Sequence, residues 1–260
     1  MKAKPGKKPL SVEQKISRRN FISFSAFTVL STGAFFSWRW LYNSAKETGG
    51  VTNGAHAPLR AVLNGNEQVF NKAFSHKHLV KTYPKSRAAK TVRYNSNFGM
   101  KPDKPFVIAD WKLEIVKLNG EKLQITLDQL KALPKTEIVF AFKCVEGWDQ
   151  ISHWGGVKFA DLVAHYKLDN EVKLAYVGME TPDKNYYVGL DIPSATHPQT
   201  LLAYEVNDAP LPVKHGAPLR LIIPVKYGIK NIKRIGTISF SNERPRDYWA
   251  ERGYDYYSGL

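Results

Sequence analysis

The residues able to do chemistry gather in the second half of the chain. Cys144 is the only cysteine among 260 residues. It closes a buried-looking strand pattern, EIVFAFKC (137–144), and opens VEGW, a glycine-containing turn, so the strand behind can aim its thiol at a ligand. Three readings are open. A lone thiol can be a small buried apolar side chain. It can be a nucleophile with His153, His165, His197 or His215 as base. It can be the single thiolate ligand of a soft metal ion. Further along, Arg220, Lys226, Lys230 and Lys233 form a basic cluster interleaved with Gly216 and Gly228. Arginine grips phosphate through two hydrogen bonds, and glycine lets backbone N–H groups approach an anion closely. The alternative for this cluster is a solvated basic strand.

The residues around Cys144 carry weaker signals. Trp148 and Trp154 flank the turn and suit either a substrate wall or core packing. His153 reads as a surface histidine, with the metal face as the other option. His197, in THPQTLL, reads as structural. Glu146 can shape the pocket or cap the turn.

These residues need elements to position them. WKLEIVKL (111–118) alternates apolar and polar, Asn119-Gly120 is a hairpin turn, and EKLQITL follows as the partner strand. A short helix starts at Asp128 and ends at Pro134. VKFADLVAHY (157–166) has helical spacing. KLAYVGME (173–180), YYVGL (186–190), LRLIIPV (219–225) and RIGTISF (234–240) read as strands. The aromatic C-terminus, DYWAERGYDYYSGL, is expected to pack back over the domain. The fold class is α+β: a β-rich mixed sheet or barrel-like domain with short helices.

Composition narrows the class. The chain is 43% hydrophobic and 12% aromatic, which is enough for a core. One cysteine excludes a disulfide scaffold, iron–sulfur ligation and a C-x-x-C-H haem site. The net charge of +15 suggests nucleic acid until it is located. Residues 1–20 carry +6 and residues 39–104 carry +9, leaving 105–260 neutral. The excess therefore belongs to a leader and a basic arm rather than to a nucleic-acid-binding face.

That leader has the layout of an export signal. A basic segment precedes an uncharged run, 20–38, diluted by Ser, Thr and Gly. The pair Arg18-Arg19, followed by Phe21-Ile22, resembles a twin-arginine signal. The run is also just long enough to span a membrane. Cleavage and retention as an anchor are both open, with Ala55-His56-Ala57 as an A-x-A-like site. The organisation expected is 1–40 signal or anchor, 41–91 basic lead-in arm with at most one short helix, and 92–260 catalytic domain.

Two blocks, FKCVEGWDQISHWGGVKFADLV (142–163) and LPVKHGAPLRLIIPVKYGIKNIKRI (211–235), resemble the molybdopterin-binding domain of the sulfite oxidase superfamily. They stand in that family's order. CVEGW is most similar to the periplasmic methionine-sulfoxide reductase branch, and RYNSNFG (93–99) resembles a shortened form of that branch's asparagine-rich loop. The resemblance implies that Cys144 ligates molybdenum. It places Asn95, Asn97, Thr181, His215, Arg220, Gly228, Ile229 and Lys230 around the pterin and its phosphate.

The resemblance further implies a mononuclear molybdenum–molybdopterin cofactor, with no haem or iron–sulfur centre in this chain. The activity implied is oxygen-atom transfer, in the direction of reducing an S-oxide. Sulfite oxidation is the alternative: where that branch carries arginines beside its cysteine, the neighbours here are Lys143, Val145 and Glu146, of which the negative Glu146 suits sulfite poorly while Lys143 points the other way. Electrons would come from a membrane-bound haem or quinone-linked protein, and the enzyme would be an extracytoplasmic, periplasmic monomer. A non-catalytic exported binding protein and a cysteine hydrolase are the readings of other classes.

Overall fold

The computed structural model describes residues 11–46, 56–73, 78–95 and 107–259. Two units divide the chain: Met1–Ala45 with His56–Pro58, and Lys46–Ala55 with Leu59–Leu260. The first unit is dominated by α1 (Val12–Asn43). Ser11 starts it as an N-cap: its hydroxyl accepts from Gln14 N–H, and the Gln14 side chain accepts from Ser11 N–H. No residue of α1 is buried, and the helix is long and apolar enough to cross a membrane.

The second unit is built on two five-stranded sheets. In the first, β1 (Lys112–Val116) and β2 (Lys122–Thr126) form an antiparallel hairpin. Its turn contains Asn119-Gly120, with Gly120 at φ +82°. β10 (Thr237–Ser241) lies parallel to β1, and β5 (Tyr176–Glu180) and β6 (Tyr187–Asp191) complete the order β2-β1-β10-β5-β6. The alternation in KLEIV sends Leu113 and Ile115 into the core, both fully buried, while Lys112 and Glu114 face outward.

The second sheet has the order β3-β4-β7-β8, with β9 also paired to β7. Its strands are β3 (Lys135–Lys143), β4 (Asp149–Lys158), β7 (Leu201–Val206), β8 (Ala209–Pro210) and β9 (Arg220–Ile222). β3 and β4 pair along nine positions, from Lys135↔Val157 to Lys143↔Asp149. Short helices α3 (Leu127–Lys131), α4 (Phe159–His165) and α5 (Ile192–Ala195) join the strands. Thr126 caps α3 through Gln129.

The main core lies between the sheets and gathers Leu113, Ile115, Val177, Leu190, Leu162 and Ile238. A second cluster covers the other face of β3 and β4 through Ile138, Phe140, Phe142, Trp154 and Ile222. The lead-in segment lies over it. Thr82 bridges Phe140, Tyr83 N–H donates to Val139 O, and Ala89 N–H donates to Ile151 O. This carries Val92 into the second cluster and Asn95 to the end of β3.

Several elements differ from the sequence reading. Strands β4 and β7 were not expected. β4 occupies ten residues where only the helix after it had a clear period, and α4 accordingly begins at Phe159 rather than at 157. The unbroken run LLAYEV of β7 is buried on both faces, so it lacks the alternation that marks a half-exposed strand. α2 (Ala57–Ala73) is also longer than the single short helix expected in the arm. The C-terminus packs as anticipated. Tyr256 and Tyr257 are buried, Tyr257 stacks on Phe70 at 5.5 Å, and buried Arg60 donates to the carbonyls of Ala250 and Tyr254.

Candidate active site

Cys144 is the first residue after β3, in the five-residue turn leading to β4. Its N–H donates to Trp148 O (2.9 Å), and Gly147 closes the turn at φ +83°. The thiol is buried, with the residue 6% exposed. Burial pushes its pKa above 9.0, opposed by a hydrogen bond from the Glu146 backbone and reinforced by the Glu146 charge. In water such a thiol stays protonated; a coordinated metal ion would remove its proton.

Opposite the thiol lies the 3-10 turn Gly228–Lys230. A Cβ on Gly228 would stand 3.3 Å from Cys144 Sγ and 3.0 Å from the Phe142 ring. The missing side chain of glycine lets the turn pack this closely on the thiol. Gly228 O accepts from Asn95 Nδ2 (2.8 Å), and Ile229 O accepts from Tyr186 Oη (2.6 Å). Both carbonyls are thus held by side chains. Among the described residues, the N–H groups of buried Gly228 and Ile229 have no hydrogen-bond partner.

The same turn is joined to a buried cation. Arg220, at the start of β9, is fully buried. Its Nη2 donates to Asn95 Oδ1 (2.9 Å) and Asn231 O (3.3 Å), and its Nη1 donates to His215 O (3.2 Å). The guanidinium sits 4.6 Å from the Trp154 ring centroid. All of these acceptors are neutral, and burial draws the Arg220 pKa down to about 9. Lys233 is 3% exposed, and its pKa is pulled to about 7 by burial, then by Arg220 and Arg234. His215 falls to about 4 from burial, then from Arg220 and Lys233. Its Nδ1 has no hydrogen-bond partner among the described residues. With His215 neutral and Lys233 only partly charged near pH 7, Arg220 carries most of the positive charge of the site, and a bound anion would relieve the repulsion that holds its neighbours' protons off.

The structure therefore joins Cys144, Asn95, His215, Arg220, Gly228 and Ile229. Thr181 is one step removed. Its hydroxyl donates to Asp183 Oδ1 (2.5 Å) and accepts from Tyr186 N–H, ordering the β5–β6 turn that presents Tyr186. Lys230 directs its ammonium away from Cys144's turn, onto Asp247 Oδ2 (2.5 Å) and Gly189 O (2.9 Å). Asn97 lies outside the described residues. The basic cluster is not a solvated strand, since Arg220, Lys226, Lys230 and Lys233 are all buried.

Sequence reasoning missed Tyr186, whose pKa burial, then the Asp247 charge, raise well above 10.0. It stood in the sequence only as the first residue of a strand pattern. It also misplaced His153, which is 3% exposed because β4 is an interior strand between β3 and β7. Trp154 is core, donating to Ser152 Oγ (2.8 Å). His197 is buried and structural, with its Nε2 3.2 Å from His78 O. At the rim, Trp148 stacks on Phe142, donates to Glu146 Oε2 (2.7 Å) and carries the Arg93 guanidinium 4.6 Å above its ring.

Known proteins share this arrangement of sequence and fold. Residues 100–249 match the oxidoreductase molybdopterin binding domain family. Over 201 residues the chain is 34% identical to a putative protein-methionine-sulfoxide reductase subunit, YedZ1, of Azospira oryzae, covering 77% of this chain and 76% of that protein. The protein-methionine-sulfoxide reductase catalytic subunit MsrP of Campylobacter jejuni is 31% identical over 174 residues, 60% of this chain and 58% of that one. MsrP of Xanthomonas campestris is 33% identical over 187 residues, 66% of this chain and 52% of that one. The chain thus spans about three quarters of the first relative and just over half of the other two. The sulfane dehydrogenase SoxCD of Paracoccus pantotrophus shares the fold, with a TM-score of 0.51 and 18% identity over 65% of this chain and 46% of that one. With more than half of its residues matched to the family, and a relative above 30% identity over most of both lengths, the chain belongs to the oxidoreductase molybdopterin-binding domain family of sulfite oxidase type.

Proposed function

We propose that this chain holds a mononuclear molybdenum–molybdopterin group and reduces an S-oxide, of the methionine-sulfoxide kind, outside the cytoplasmic membrane. The residues present fit that group. A single soft thiolate suits molybdenum, and Cys144 is a buried thiol with the Gly228 turn packed close beside it. A terminal phosphate suits a buried positive site edged by partnerless N–H groups, and Arg220, Lys233 and the Gly228–Ile229 turn supply one. The observation that carries the reading is that both halves meet at one residue: Gly228 touches the thiol side through its missing Cβ and the cationic side through Asn95.

When bound, the molybdenum centre supplies two-electron oxygen-atom transfer; the protein supplies binding, orientation and electrostatics. Cys144 anchors the metal. Arg220 and Lys233 balance negative charge, and Asn95 fixes the Arg220 fork against the turn. Tyr186 pins the turn from the other side. Val145, Trp148 and Arg93 form the rim, where an apolar sulfoxide side chain has both a wall and a hydrogen-bond donor. Glu146 places a carboxylate at that rim, which favours a neutral S-oxide over sulfite. Reduction consumes two electrons and two protons and releases water. The names of the relatives, a catalytic subunit among them, favour an electron-delivering partner, which we place in the membrane as a haem- or quinone-linked protein. α1 with Arg18-Arg19 suits a twin-arginine leader or anchor.

The test is molybdenum per protein, wild type against Cys144→Ser, after export in a host that makes the cofactor. About one molybdenum per chain is expected in the wild type, with sulfoxide-dependent oxidation of a reduced dye lost in the variant. A folded wild type without molybdenum overturns the reading.

A further inference from the structure

A second constellation lies on the sheet away from Cys144. Glu137 on β3, His153 on β4 and Asp208 in the β7–β8 turn each offer a ligand atom within 4.8 Å of the others. Seven residues of strand separate Glu137 from Cys144, about 23 Å. The β3–β4 register places Glu137 diagonally across from His153, on the same face. The positive φ at Asn207 and Asp208 folds the turn back so that Asp208 meets them.

Ion pairing accounts for the two carboxylates. Lys85 lies 2.7 Å from Glu137 and 3.0 Å from Asp208, and Lys135 lies 3.3 Å from Glu137 while also pairing with Glu205. It does not account for the imidazole. His153 is 3% exposed, yet among the described residues its Nε2 has no hydrogen-bond partner and faces Glu137 Oε2 at 3.6 Å, beyond hydrogen-bond reach. Its Nδ1 faces Asp208 at 3.8 Å. The imidazole lies between the two carboxylates, with one ring nitrogen within 4.8 Å of an oxygen of each, and a buried imidazole nitrogen is a donor that a borderline metal ion takes up. Tetrahedral ligands about 2.1 Å from zinc stand some 3.4 Å apart, so three side chains with ligand atoms within 4.8 Å of one another need only a small inward shift to close on an ion.

We propose that Glu137, His153 and Asp208 bind a divalent transition-metal ion of the zinc class, in competition with the Lys85 ammonium that stands between the carboxylates in the metal-free protein. One imidazole and two carboxylates form a mixed nitrogen–oxygen set that leaves a coordination position for water. Lys85 is half exposed and flexible, so it can swing into solvent when the ion enters.

The test titrates chelator-washed holoenzyme with Co2+ by absorbance and with Zn2+ by calorimetry. Wild type is compared with Asp208→Asn and Lys85→Ala. Asparagine tolerates the left-handed backbone at 208, so that variant keeps the turn. Saturable one-to-one binding is expected in the wild type. Asp208→Asn should weaken it by at least ~10-fold. Lys85→Ala should tighten it by about 2- to 30-fold, the equivalent of losing two competing surface ion pairs. Absence of saturable binding in both wild type and Lys85→Ala overturns the proposal. So does equal affinity in Asp208→Asn, or a thiolate charge-transfer band, which would place the cobalt on Cys144.

Discussion

Asn95 is the residue through which the lead-in segment reaches the site, and its replacement tests the architecture most directly. It is 5% exposed and bridges two groups: its Oδ1 accepts from Arg220 Nη2 at 2.9 Å, and its Nδ2 donates to Gly228 O at 2.8 Å. Asn95→Ala removes a charge-assisted bond, worth roughly 1.5–3 kcal/mol, and one of the two hydrogen bonds to Gly228 O, worth about 0.5–1.5 kcal/mol, since Asn231 N–H still donates to that carbonyl at 3.0 Å. Arg220 keeps its bonds to Asn231 O and His215 O, and entering water recovers part of the loss. The expected net cost is about 2–4 kcal/mol, which for a domain of this size lowers Tm by roughly 4–16 °C. Asn95→Asp separates the two roles. A carboxylate keeps Arg220 satisfied but cancels the charge that the site offers to a phosphate and loses the donor to Gly228. Asn95→Asp should therefore unfold closer to wild type than Asn95→Ala while retaining less molybdenum. Thermal unfolding by circular dichroism, with elemental analysis of the same samples, reads both quantities. A Tm within 1 °C of wild type for Asn95→Ala, or full molybdenum in Asn95→Asp, refutes the reasoning.

Other residues give sharper structural tests. Lys230→Met leaves Asp247 buried and uncompensated and should cost about 3–5 kcal/mol, with Lys230→Met/Asp247→Asn recovering much of it; urea unfolding measures both. A Cβ on Gly156 would stand 2.1 Å from Leu202 O and 2.6 Å from Ala203 Cα, so Gly156→Ala should fail to yield soluble protein. Gly147→Ala meets no atom within 4 Å and pays only for its positive φ, about 1–2 kcal/mol, visible as a modest Tm shift. Burial raises the Asp191 pKa, but Lys226 and Ser194 outweigh it and hold it below the ordinary value of 3.8. Its stabilisation is therefore present above pH 3.8 and lost as pH falls through the folded value. Asp191→Asn should flatten the acid limb of a stability–pH curve, and an unchanged limb would show that Asp191 does not drive it.

The sequence by itself determined the thiol and its turn, the hairpin at Asn119-Gly120, the amphipathic strands of the first sheet and the charge imbalance of the front end. Each is a local property: a period of two, a turn dipeptide, a lone residue type. It also marked Arg220 and Gly228 as anion-side residues through the family resemblance of 211–235. Tertiary structure alone decided the rest. β7 is buried on both faces, so its sequence carries no alternation to read. Whether a lysine is solvated or buried depends on what packs over it, and Lys230 and Lys233 were indistinguishable until Asp247 claimed the first and Arg220 flanked the second. Asn95, marked by the resemblance of RYNSNFG, meets Arg220 and Gly228 because the lead-in lies across β3 and β4. His153 and Asp208 are 55 positions apart in the chain, and only the pairing of β4 with β7 brings them together. Spacing in the sequence reports contacts within one element; contacts between elements are set by register and packing, which no single segment contains.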